Sequence, residues 1–142
     1  MNSYPGLKES FRQARVVFLT TFDKTGSKRT RQMMNFNEDI YSEIWFPTET
    51  RSRKVEDIKV NQKVLVTFPA EGFGDNWEVE GKAELERQEV VDAKWVWWYL
   101  SWRPYQADRF WFPPKNESDP NHAIIKITPI KATLNPHNTK KE

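Results

Sequence analysis

Hydrophobic and polar residues alternate along several short segments of the chain, and this period of two predicts β-strands. In the clearest segment, residues 77–86, the odd positions from Trp77 to Leu85 are apolar or glycine and the even ones are charged. Such a pattern is typical of a half-buried antiparallel strand, and Gly81 within it indicates a bulge or a close backbone approach. Segments rich in β-branched and aromatic residues predict further strands at residues 16–22, 28–35, 40–46, 63–68 and 123–128, the last ended by Pro129.

A spacing of three to four residues between apolar positions predicts three helices, at residues 7–15, 53–61 and 89–102. The third carries Trp95, Trp98 and Trp102 on one stripe, which favours packing in the core or at a dimer interface over stacking on a ligand. Six strands in meander order with these helices predict a mainly β fold, an antiparallel barrel with helical additions. We expect one domain over residues 1–134 and a polar tail over residues 135–142.

Composition excludes several kinds of chemistry. The chain has 22 basic and 20 acidic side chains, a balance that argues against a protein built to coat nucleic acid. It has no cysteine and only two histidines, His122 and His137, so thiolate sites and a histidine metal cluster are not expected. No apolar run approaches the ~20 residues of a membrane span, and the first residues lack signal-peptide character, so we expect a cytoplasmic protein. Aromatic residues make up 14% of the chain, which implies a core, an interface or a flat ligand.

The densest concentration of candidate binding residues lies at positions 48–54, immediately before the second predicted helix. The segment reads Thr-Glu-Thr-Arg-Ser-Arg-Lys and so combines hydroxyl groups with three cations. Free N–H groups and the helix dipole favour an anion at such a junction, and a bound phosphate would explain Arg51, Arg53 and Lys54. The alternative is an ordinary N-cap, Thr50 or Ser52, followed by a solvated basic turn.

Four motifs occur in the order and at the spacing of one known family. They are Arg31-Gln32-Met33-Met34, Thr48 with Ser52-Arg53-Lys54, residues 61–64, and the strand that begins at Trp77. Together they resemble the pyridoxamine 5′-phosphate oxidase-like, FMN-binding split-barrel superfamily, and most closely its short general-stress-protein branch. The resemblance extends over residues 11–134. It implies a six-stranded antiparallel split barrel that forms a homodimer, with FMN in clefts between the subunits.

The resemblance also implies which residues bind the cofactor. The FMN phosphate would be held by a strand arginine, by the threonine after the third strand and by the following turn: Arg31, Thr48, Ser52, Arg53 and Lys54. The flavin ring would lie along the backbone of Gln32, Met33 and Met34, with a polar contact from Asn76 or Trp77. A guanidinium fork and an ammonium group both suit a phosphate dianion. Because a flavin carries the redox chemistry itself, an oxidoreductase of this kind needs no protein acid or base.

Some positions depart from the vitamin B6 oxidase within this superfamily. Phe36 stands where that enzyme has a lysine, Leu134 stands where it has a late tryptophan, and the polar tail around His137 replaces its substrate-binding arginine and histidine. We therefore expect no pyridoxamine phosphate oxidation, and the small-molecule substrate stays unassigned, as does the choice between catalysis and flavin storage or sensing. Trp111 and Phe112, in a proline-rich stretch, are candidates for a wall of the site.

Two other functions remain open from the sequence. The same fold could bind the deazaflavin F420, whose phosphate and ring make similar demands, whereas haem suits the chain poorly because both histidines occur late. A nucleic-acid-binding barrel could instead use Arg29, Arg31, Arg51, Arg53 and Lys59 along a phosphate backbone. The net charge of only +2 and the acidic strand face at residues 78–86 weigh against nucleic acid.

Overall fold

The computed structural model of the protein describes residues 1–98 and 120–136. These residues form six strands: β1 (Val16–Phe22), β2 (Lys28–Met34), β3 (Ile44–Glu49), β4 (Lys63–Pro69), β5 (Asn76–Leu85) and β6 (His122–Asn135). They also form three helices: α1 (Leu7–Gln13), α2 (Arg53–Val60) and α3 (Gln88–Trp97). The predicted mainly β fold is confirmed, because all six strands join one antiparallel sheet.

The strand order is β2-β1-β4-β5-β6-β3, so the predicted meander is wrong in two places: β1 pairs with β4, and β3 pairs with β6. β3 lies beside β6, at the edge opposite β2, and the chain between β2 and β3 therefore crosses from one edge to the other. This connection is attached to β3 through Asn37, whose side-chain amide donates to Trp45 O at 3.0 Å and accepts from Trp45 N at 3.1 Å. These two bonds fix the end of the connection beside the edge strand β3.

The hydrophobic core lies on the inner face of this sheet. Its fully buried members come from most strands and include Leu19, Phe46, Val66, Val79 and Ile127. Burial of each such side chain stabilises the fold by roughly 1.5–3 kcal/mol. α1 packs against β4, where the ring of Phe11 meets Phe68 edge-on at 5.3 Å. The alternation expected in residues 77–86 is confirmed, since its apolar positions from Trp77 to Ala83 are buried.

A β-bulge interrupts the pairing of β5 with β6. Gly81 lies opposite Pro129 while Glu80 lies opposite Lys131, so β6 carries one extra residue. A Cβ atom at position 81 would stand 2.5 Å from Cγ2 of Ile127, which confirms the predicted close approach. Pro129 does not end the last strand as predicted. It is tolerated because a bulge is a place where the ladder does not need its missing N–H group.

The third strand starts later than predicted, at Ile44 rather than at residue 40. Residues 40–42 form a turn instead, held by Asp39, whose carboxylate accepts from Tyr41 N at 2.9 Å and from the Ser42 hydroxyl at 3.0 Å. Ile40 is nevertheless fully buried, which explains why its neighbourhood has the composition of a strand.

The described residues include only part of the predicted third helix and of the predicted C-terminal tail. Asn135 is the last residue of β6, one position beyond the predicted domain boundary at residue 134. The predicted tail from residue 137 and the predicted helix positions beyond Trp98 lie outside the described residues, as do Trp111 and Phe112.

Candidate anion-binding site

The predicted junction between the third strand and the second helix forms an N-capped turn. Ser52 is the N-cap of α2, and its hydroxyl accepts from Val55 N at 3.4 Å and from the Thr48 hydroxyl at 3.3 Å. Thr48 lies within β3 rather than after it, because β3 continues to Glu49. The junction therefore contains the ordinary N-cap that the sequence offered as the alternative to a phosphate site, with Ser52 as the capping residue. The positive end of the α2 dipole faces the same turn.

Thr50 has a structural role in this turn. Its N–H donates to Asn121 O at 2.8 Å and its hydroxyl donates to Pro120 O at 2.7 Å. These bonds attach the turn to the start of β6. Because its N–H and hydroxyl are both used in this way, Thr50 positions the turn.

Two cations from separate elements converge beside the start of α2. Arg31 lies on the core side of β2, because its partner across the strand pair is the buried Leu19. Burial lowers the pKa of Arg31, and the positive charges of Arg29 and Arg53 lower it further, against the opposing effect of Asp57. Burial also lowers the pKa of Lys54, and the neighbouring charge of Arg31 adds to that effect, against the opposing effect of Glu49. Each group therefore lies in the field of the other.

Neither Arg31 nor Lys54 has an ion pair or a side-chain hydrogen bond with any residue in the ranges 1–98 and 120–136. An anion bound between two partly desolvated cations that repel each other would reduce that repulsion. Arg51 and Arg53 are exposed on the same turn and add positive charge at its outer side. The arrangement suits a phosphate group.

Arg29 differs from Arg31 although only one residue separates them on the same face of β2. Its guanidinium pairs with Asp57 Oδ2 at 3.7 Å and with Asp23 Oδ2 at 3.5 Å. Asp57 also accepts from the Thr21 hydroxyl at 2.7 Å and is only 3% exposed. Sequence reasoning missed Asp57. The available signal was a carboxylate directly before Ile58 on the buried side of an amphipathic helix.

The three residues after Arg31 alternate between the two faces of β2. Gln32 and Met34 are exposed on the outer face, while Met33 packs against the core from the inner face. β2 is an edge strand of the sheet, so one side of its backbone has no strand neighbour among the described residues. The unpaired edge of β2 therefore leaves room for the backbone contact to a flat ring that the resemblance implies.

The fifth-strand candidates do not lie next to the converging cations within one chain, because β1 and β4 separate β5 from β2. Trp77 is 6% exposed and packs in the core, with its ring edge-on to Tyr4 at 6.2 Å. Asn76 is exposed at the end of the strand and donates to Gly74 O at 3.4 Å. Of the two, Asn76 is the residue whose side chain a ligand could reach.

The tryptophans of α3 pack against the sheet and against one another. The Trp95 ring stacks on His122 with centroids 3.8 Å apart and planes 9° apart, and Trp98 lies 5.7 Å from Trp95. Trp97 meets Trp45 at 5.8 Å but is about half exposed. His122 is the first residue of β6. Trp95 and Trp98 therefore make packing contacts within the chain, while their place at a dimer interface stays a prediction.

Comparison with known proteins identifies the family. The pyridoxamine 5′-phosphate oxidase family matches residues 5–135, which is nearly the whole chain. The chain belongs to this family. General stress protein 26 of Bacillus subtilis is 34% identical over 119 residues, which cover 81% of this chain and 75% of that protein. The resemblance found in the sequence is therefore confirmed, including its general-stress-protein branch.

Solved structures of pyridoxamine 5′-phosphate oxidase relatives share the fold. General Stress Protein 26 from Bacillus anthracis is 27% identical, with a TM-score of 0.62 over 91% of this chain and 93% of that one. A pyridoxamine 5′-phosphate oxidase-related, FMN-binding protein from Nostoc punctiforme is 18% identical, with a TM-score of 0.64 over 94% and 86% of the two chains.

Among the residues that the structure describes, no helix is long and apolar enough to cross a membrane.

Proposed function

We propose that this protein binds FMN and acts as an oxidoreductase on a small molecule that the sequence does not identify. The observation that carries the proposal is the pair Arg31 and Lys54, two partly buried cations beside the start of α2 that form no ion pair with any of the described residues. The family assignment and the FMN-binding relative from Nostoc punctiforme support the choice of ligand.

The strength of such a site is sufficient for a cofactor. Each charge-assisted hydrogen bond contributes about 1.5–3 kcal/mol, and three of them would supply much of the ~8 kcal/mol that micromolar binding requires. In the proposal Arg31 and Lys54 hold the phosphate oxygens, the free N–H groups at the start of α2 add to them, and Ser52 orders the turn. Arg53 raises the positive potential from the exposed side, and Thr48 keeps Ser52 in place.

A bound flavin would supply hydride transfer at its ring. The protein would then have to bind the phosphate, orient the ring along β2 and exclude water from one side of it. Gln32, Met34 and Asn76 are the exposed candidates for ring contacts, and Met33 supports the strand from the core.

We further propose that the protein is a homodimer with a cofactor cleft at the subunit interface. Phe18 and Met34 support a subunit contact, because they are 38% and 48% exposed on the outer face of the β1–β2 pair, opposite the face that carries Arg31. Light scattering should give a mass twice the 16.9 kDa of one chain. A monomer at micromolar concentration would contradict the interface.

A cytoplasmic location of the protein stays a prediction.

The cofactor is tested by the absorption spectrum of the purified protein and by mass identification of the ligand released on denaturation. Flavin bands and the mass of FMN are expected. Apoprotein should also bind added FMN more tightly than riboflavin, which has the same ring without the phosphate. Release of F420 would replace FMN in the proposal. Colourless protein that ignores added FMN but binds single-stranded oligonucleotides in a salt-dependent manner would contradict it.

A further inference from the structure

Asp57 is a buried charge that the proposed binding of FMN does not use. Its carboxylate is 3% exposed, accepts from the Thr21 hydroxyl at 2.7 Å and pairs with Arg29 Nε at 3.7 Å. A buried carboxylate is costly unless its partners are held in place. The position of Asp57 therefore depends on both Thr21 and Arg29, and their positions depend on Asp57.

These three residues, here called the clamp, join the elements that carry the two cations of the candidate site. Thr21 on β1 lies directly opposite Arg29 on β2. Arg31 follows on the same face of β2, and Asp57 lies about one turn after Lys54 on α2. The clamp therefore fixes the first turns of α2 against the strand that carries Arg31.

The clamp also separates the roles of two neighbouring arginines. Arg29 is engaged by Asp57 and, at 3.5 Å, by Asp23. Arg31 has no such partner among the described residues and stays available for an anion. Without Asp57, the repulsion between Arg29 and Arg31 would lose the carboxylate that opposes it, and α2 would lose its side-chain bonds to Thr21 and Arg29.

We propose that Asp57 is the positioning residue of this site, and that through the clamp it sets the distance between Arg31 and Lys54 that phosphate recognition requires. The proposal rests on the proposed binding of FMN. It concerns how tightly the phosphate is recognised, and it assigns Asp57 no contact with the ligand.

The decisive variant combines Asp57→Asn with Arg29→Gln. It removes one negative and one positive charge, so the net charge near the site is unchanged while the ion pair is lost. The measured quantity is the ratio of the riboflavin Kd to the FMN Kd of the apoprotein, followed by flavin fluorescence. We expect this ratio to fall about tenfold or more, with the riboflavin Kd within about twofold of the wild-type value.

The matched control is Glu56→Gln, which removes a charge from the exposed neighbour of Asp57 on α2 without touching the clamp. Its ratio should stay within about twofold of wild type. A merely structural role of Asp57 would weaken FMN and riboflavin together and leave the ratio unchanged. An unchanged ratio in the double variant overturns the proposal.

Thr21→Val provides a second variant should the double variant fold poorly. It keeps both charges and nearly the same shape but removes the hydroxyl that bonds to Asp57. The ratio should fall in the same direction, and an unchanged ratio here also contradicts the clamp. Failure of the proposed function looks different, because wild-type protein would then show no preference for FMN over riboflavin.

Discussion

At the scale of single residues, Arg31 and Arg29 show how one strand assigns different roles to identical side chains. Both lie on the core side of β2, but among the described residues only Arg29 forms ion pairs with carboxylates. The sequence predicted Arg31 and Lys54 as phosphate ligands through a family resemblance, and the structure places their charges close enough to affect each other. Local sequence indicates that Asp57 stands on the buried side of α2, but it could not reveal its partners Thr21 and Arg29, which are distant along the chain.

Arg31→Ala and Lys54→Ala should each weaken FMN binding by about 10- to 100-fold, because each removes a charge-assisted bond of about 1.5–3 kcal/mol. Riboflavin binding should change little, since riboflavin has no phosphate. Titration of each apoprotein with both ligands provides the measurement.

Lys28→Ala is the control for this pair, because Lys28 is an exposed cation on the opposite face of the same strand. It should leave the FMN Kd within about twofold of wild type. Unchanged FMN affinity in both the Arg31 and the Lys54 variants would show that the phosphate binds elsewhere.

At the scale of elements, the turn between β1 and β2 illustrates what local sequence predicts well. The motif Asp23-Lys24-Thr25-Gly26 predicts a turn, and Gly26 has the positive φ of 85° that such a turn uses. The sequence predicts that the third strand starts at residue 40, four residues too early, because the buried Ile40 gives the preceding turn the composition of a strand. Side-chain bonds from Asp39 override that composition.

Asp23 should make the stability of this turn depend on pH. Hydrogen bonds from Thr25 and from the backbone N–H groups of Thr25 and Ser27 lower the pKa of Asp23 from 3.8 to about 2. A pKa that is lower in the folded state stabilises the fold above the unfolded value and loses that effect as the pH falls through the folded one. The difference in melting temperature between wild type and Asp23→Asn should therefore be constant above about pH 5 and shrink between about pH 4 and 2. A difference that does not vary with pH would contradict this assignment.

Gly81→Ala should destabilise the protein by about 1–3 kcal/mol, because the new methyl group would press on Ile127 and on the backbone of Thr128. Urea denaturation measures the change in the free energy of unfolding. The adjacent Lys82→Ala loses only an exposed pair with Glu84 and should change it by less than about 1 kcal/mol. Equal effects of the two substitutions would argue against a tight approach at the bulge.

At the scale of the whole molecule, the sequence predicted the strands and their antiparallel arrangement but not the complete strand order. β3 pairs with β6, in the register Ile44 to Ile127, across most of the chain length. Alternation within a strand indicates which face is buried, but it does not indicate which distant strand lies alongside. The position of the candidate site depends on this topology, because the β3–β6 edge carries the turn that leads into α2.

The topology also explains why the site combines distant residues. Thr50 attaches the turn before α2 to β6, and Asp57 attaches α2 to the β1–β2 pair that carries Arg31. Residues from both edges of the sheet therefore meet beside one helix N-terminus. A set of motifs in one order can indicate such a site through resemblance, although no single motif encodes its geometry.

A crystal structure of the protein grown with FMN tests the central claim most directly. The account predicts that the phosphate oxygens lie within hydrogen-bond distance of both the Arg31 guanidinium and the Lys54 Nζ, at the start of α2. A phosphate bound elsewhere, with these two side chains turned to solvent, would contradict it.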